Sequence, residues 1–177
     1  IVLENYYNAF VRGGALLNEA DKATLLDIET KLGLASIKFG NNLLADNKAF
    51  KLVISDEADL KGLPQDVIEA AKCEDGTWVF TLDKPSMLPF LTYSSNRDLR
   101  RELYNGYLMR GNNDNENDNK EIVEKMSMLR IEKANLLGYK SYSAYVTADQ
   151  MAGTPEAVYN LLDEIWYPAL ESAKAEL

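Results

Sequence analysis

From Glu19 to about Ala45 the residues Leu25, Ile28, Leu32, Ala35, Phe39 and Leu43 recur at steps of three and four. A helix carries such residues as one continuous apolar stripe, and only other apolar surface covers a stripe of that length. The segment therefore reads as one long helix. Asn18 stands ready to cap this helix with Asp21 in its first turn, and Gly13-Gly14 separate it from a short helix over residues 2–12. Gly33 and Gly40, seven apart on the same helix, either weaken it or permit a close helix crossing, and the crossing is the favoured reading.

The period then changes. Phe50, Leu52 and Ile54 alternate with Lys51, Val53 and Ser55, and Trp78, Phe80 and Leu82 alternate with Val79 and Thr81. Alternation of this kind marks strands, and two strands joined through a helical excursion give an antiparallel ribbon that must pack on helices to persist. The excursion is a short helix over residues 65–72 with Pro64 in its first turn, followed by a turn at Glu74-Asp75-Gly76.

Downstream, Pro85 and Pro89 bracket a compact helix, and Ser95 or Asn96 caps another that carries Leu99, Leu103 and Tyr107 on one face. Residues 112–119 form a polar loop. Asp118 with Glu121 reads as a capping box for a helix reaching Leu137, where Gly138 stops it. A short helix over residues 142–150 and a last one opened by Thr154-Pro155 complete the series. The expected fold class is mainly α, a multi-helix arrangement with one small two-stranded antiparallel β ribbon. A mild composition shift at residues 93–96 places the organisational boundary there, giving segments 1–94 and 95–177.

Composition narrows the chemistry. The chain has 177 residues, a net charge of −9, one cysteine and no histidine. Without imidazole there is no serine triad and no His-ligated zinc site, which leaves carboxylate pairs, an activated lysine, or an oxygen-ligand cation site. Cys73 reads as an inert thiol. Arg97, Arg100 and Arg101 alternate with Asp98 and Glu102, so no positive stripe for phosphates is expected, nor nucleic acid as a partner. No apolar run approaches a bilayer's width, so no membrane role is expected. An apolar start at Ile1 and a last helix without a stop signal before Leu177 predict an internal piece of a longer protein.

Asn112, Asp114, Glu116 and Asp118 alternate as calcium ligands would, but the required glycine is missing and Lys125 falls where a bidentate glutamate belongs, so a solvated loop with a helix cap is expected. Asp27 with Lys31, and Glu121 with Lys125, are i,i+4 surface pairs, while Glu132 and Lys133 mark an amphipathic boundary. Tyr139, Tyr142 and Tyr145 suit either the lining of a peptide groove or simple packing, and their spacing of three favours packing.

Four segments, in order along the chain, carry a family likeness: Phe10-Val11-Arg12-Gly13-Gly14-Ala15 with Leu17; Phe39-Gly40-Asn41-Asn42-Leu43-Leu44; Asn96-Arg97-Asp98-Leu99-Arg100-Arg101; and Ala148-Asp149-Gln150-Met151-Ala152 running into Thr154-Pro155-Glu156-Ala157. Together they resemble the thimet-oligopeptidase and neurolysin family of zinc metallopeptidases, in its peptidyl-dipeptidase branch. The resemblance implies a neurolysin-like helical fold split by a deep channel, with zinc held by a His-Glu-x-x-His helix and a downstream glutamate, none of which is in this sequence. It implies that residues 1–94 are the later part of the amino-terminal region and 95–177 the first helices of the catalytic region, with the metal site absent. The full-length protein would release dipeptides from the carboxyl end of short peptides, and this part would form a channel wall inactive alone. No residue of this chain is assigned as catalytic, cofactor-binding or metal-binding. The alternatives are an endo-acting oligopeptidase of the same family and a non-catalytic helical module that binds peptides or a protein. A cytoplasmic or periplasmic compartment is expected. An uncovered channel wall would also expose apolar side chains near Trp166 and Leu170 and lead to self-association.

Overall fold

The computed structural model describes residues 2–177. Its helices are α1 (Val2–Arg12), α2 (Glu19–Ala49), α3 (Gln65–Ala71), α4 (Lys84–Tyr93), α5 (Arg97–Leu108), α6 (Lys120–Leu136), α7 (Tyr142–Thr147) and α8 (Pro155–Glu176), with strands β1 (Leu52–Ile54) and β2 (Trp78–Phe80). The fold is mainly α with a two-stranded antiparallel ribbon, as the change of period predicts. Leu52 pairs with Phe80, Val53 with Val79 and Ile54 with Trp78.

Two compact units are present. One is Ala35–Glu124; the other joins the residues up to Leu34 with Lys125–Leu177. In the first, β1 turns Leu52 and Ile54 inward and Val53 outward. The inward pair meets Leu60, Leu63, Phe80, Leu82, Met87, Phe90 and Leu103 in one apolar cluster. Phe80 and Phe90 are fully buried with ring centroids 4.6 Å apart, which places β2 against α4. A ribbon this short does not hold itself together, so burial of its inner face on α4 and α5 supplies the stability. The second unit has a thinner core. Leu25, Ile28, Leu129 and Ala134 are buried there, while α1 and α8 bury no residue at all.

Several local expectations need correction. A Cβ added at Gly33 or at Gly40 would meet nothing within 4 Å, so neither glycine serves a close helix crossing. The tight approach is at Gly106 in α5, where an added Cβ would lie 2.3 Å from the Phe50 ring. The capping box at Asp118 and Glu121 is replaced by another arrangement. The Asp118 N–H donates to the Asn115 carbonyl (3.1 Å), and the Asp118 carboxylate accepts instead from the Lys120 N–H (2.9 Å), so α6 begins one residue later than a box would place it. Pro64 is the residue before α3 rather than part of its first turn. The caps at Asn96 and Thr154 form as expected: Asn96 Oδ1 accepts from the Asp98 and Leu99 N–H groups, and Thr154 Oγ1 from Ala157.

Candidate functional site

The buried stripe of α2 runs on past its apolar residues into Asn42 and Asp46, 7% and 6% exposed. A buried carboxylate is stable only when its oxygens are fully engaged. Asp46 achieves this by gathering the polar loop that follows α5. Its Oδ2 accepts from the Gly111 N–H (2.7 Å) and the Asn113 amide (2.9 Å), and its Oδ1 from the Asn117 amide (3.0 Å). Burial pushes the carboxyl's pKa up, but the Gly111 N–H and the amides of Asn117, Asn113 and Asn115 outweigh it and hold the group below its ordinary range. Asn42 donates to Asn119 Oδ1 (2.9 Å), and Asn119 donates to the Phe39 carbonyl (3.2 Å).

The loop is also tied along its outer side. Lys120 Nζ bonds Asp114 (2.5 Å) and Asp118 (2.8 Å), so two of the three acidic residues that alternate as calcium ligands would are taken up by a lysine. Gly111 sits at φ 68°, and a Cβ there would press on the Asn119 side chain at 2.6 Å. The run of asparagines is therefore a cradle for Asp46.

A second constellation lies in the other unit. Arg12 donates to the Tyr145 carbonyl (2.9 Å), lies 4.6 Å from the Tyr145 ring centroid, and pairs with Asp149 at 3.5 Å. Tyr145 packs edge-on against Tyr139 at 5.2 Å and in a tilted arrangement against Tyr142 at 5.9 Å, while Arg130 stands over Tyr142. The three tyrosines thus pack on one another and on cations. Lys133 turns to Glu29 (2.9 Å), as suits a residue at an amphipathic boundary. Arg12 was legible only as part of a family segment, because its partners lie more than 120 residues away.

Neither constellation fits a zinc ion. The chain has no imidazole, and among the described residues no group of three or more His, Cys, Asp or Glu side chains is placed to hold a metal. Both Asp46 oxygens face N–H donors, the opposite of what a cation needs.

Residues 90–177 match the profile of Peptidase family M3. Oligopeptidase A of Haemophilus influenzae is 33% identical over 99% of this chain and 27% of its own length. Dipeptidyl carboxypeptidase of Escherichia coli is 35% identical over the same shares. A probable cytosolic oligopeptidase A of Arabidopsis thaliana is 34% identical over 91% of this chain and 25% of its own. The fold is a mainly helical scaffold with one small antiparallel ribbon. The chain belongs to the M3 peptidases, the thimet-oligopeptidase and neurolysin family that its segments resemble. It spans about a quarter of the length of these relatives.

Proposed function

We propose that the protein is a zinc-dependent peptidase releasing dipeptides from the carboxyl end of short peptides, and that these 177 residues form a wall of its substrate channel. The observation that carries this is the 35% identity to a dipeptidyl carboxypeptidase across 99% of the chain. The bare surfaces of α1 and α8 support a wall that other parts of the protein cover: Phe10, Leu162, Ile165 and Trp166 are each more than half exposed. The family match beginning at residue 90 supports assigning 95–177 to the catalytic region and 1–94 to the region before it. Zinc would be held outside this chain, and no residue here is assigned to catalysis. Among the described residues no helix is long and apolar enough to cross a membrane, and the name of the Arabidopsis relative supports a cytoplasmic setting.

An endo-acting specificity is the second reading, favoured by the 33% identity to oligopeptidase A. Product analysis on the full-length protein separates the two, since serial release of dipeptides from the carboxyl end supports the first and internal cuts the second. These 177 residues alone should neither bind Zn²⁺ stoichiometrically in calorimetry nor cleave a fluorogenic peptide. Chelator-sensitive cleavage by this stretch alone would overturn the wall assignment, and an inactive full-length protein would favour a non-catalytic binding module.

A further inference from the structure

Arg97, Arg100, Arg101 and Tyr104 stand at positions i, i+3, i+4 and i+7 of α5, so winding into a helix gathers them onto one arc of about 100°. The acidic neighbours Asp98 and Glu102 fall on an adjacent arc, and Leu99 and Leu103 on the arc facing the core. Alternation of charge along the sequence is thereby converted into separation of charge around the helix. The four residues, with Leu91 of α4, line an open cleft of about 630 Å³ that no acidic side chain lines.

The cleft is partly preorganised. Arg100 donates to the Ser94 carbonyl, which fixes its guanidinium beside the start of α5. Arg101 pairs with Asp98 at 3.2 Å, an exposed contact of small worth that a better-placed carboxylate can replace. In a chain of net charge −9, three arginines line one open surface cleft, with Asp98 paired to Arg101 at its side.

We propose that this cleft binds peptides through their acidic side chains, with guanidinium forks on the carboxylates and Tyr104 with Leu91 against the aliphatic portions. A polynucleotide is a poor occupant, because the negative charge of the rest of the chain repels a long polyanion while a short acidic peptide engages only the cleft. The preference for a peptide over another carboxylate rests on the peptidase reading, whereas the anion site does not.

The test uses the full-length protein and a fluorescein-labelled peptide containing three consecutive glutamates, read by anisotropy at low and high salt. A glutamine peptide of the same length and inorganic phosphate as competitor are the other arms. The expected result is binding of the glutamate peptide alone, weakened by salt and by about tenfold in an Arg97→Gln/Arg101→Gln double variant. Asp98→Asn, which frees Arg101, should tighten binding, a gain that misfolding does not mimic. Equal binding of the glutamine peptide, no change in the double variant, or no change in Asp98→Asn would overturn the proposal. Complete displacement by millimolar phosphate would overturn the peptide assignment in favour of a simple anion site. Because the readout is binding, its failure beside intact peptide cleavage sinks this site alone, and lost cleavage with retained binding sinks only the peptidase reading.

Discussion

Asp46 concentrates the most consequence in one side chain. Replacing it by asparagine keeps the size but sets an amide among N–H donors and removes the charge they surround, so a loss of about 2–3 kcal/mol is expected in urea denaturation at neutral pH. The pH dependence follows from the direction of its shift. A folded-state pKa held below the ordinary 3.8 means the native state favours the charged form, so the contribution is complete above that value and is lost as pH falls through the lower folded pKa. The gap between wild type and Asp46→Asn should therefore narrow as the solution is acidified below about pH 4, and a gap constant from pH 7 to pH 3 would contradict the account. The sequence shows Asp46 and the asparagine loop separately, each readable as polar surface. What it does not show is that the apolar period of α2 continues through positions 42 and 46 with polar residues, a signal that a scan for hydrophobic stripes passes over.

At the scale of elements, α5 shows what periodicity reveals and what it hides. Its inward face was readable from Leu99, Leu103 and Tyr107, since burial follows spacing. Its close approach to Phe50 was not, because the contact depends on where another segment's ring comes to rest. Gly106→Ala should destabilise by about 1–3 kcal/mol despite alanine's better helix propensity, as the Phe50 ring must move aside. Gly33→Ala in α2 is the matched control. Its Cβ enters open space and the substitution should stabilise by about 0.5–1 kcal/mol, so thermal melts that rank the two in the opposite order would refute the assignment. The helix starts at Asn96 and Thr154 were legible because caps are local. Asp118 misled for the same reason: its carboxylate and N–H are drawn into bonds within a loop whose shape Asp46 sets from 72 residues away in sequence.

For the molecule as a whole, the uneven distribution of the core is the telling property. α8 leaves Tyr159, Leu162, Ile165 and Trp166 uncovered, while Leu170 is half-buried, so the expectation of bare apolar surface holds at Trp166. Sedimentation of the isolated stretch should show concentration-dependent association, reduced in Trp166→Glu/Leu162→Lys. A monomer at all concentrations would count against an uncovered wall. That surface was foreseeable only through the resemblance, which implies a channel wall that other parts of the protein cover, whereas the division into two units was not, since it depends on which distant segments meet. The tie from Asp46 to residues 111–117 has a further consequence, for the order of events in folding. It joins positions 65 to 71 apart in sequence, so chain entropy delays it until the intervening ribbon and helices have closed the distance. A contact absent from the transition state protects the native state against opening without hastening its formation. Asp46→Asn should accordingly leave the refolding rate almost unchanged and raise the unfolding rate, which makes this one carboxylate a latch on the lifetime of the fold.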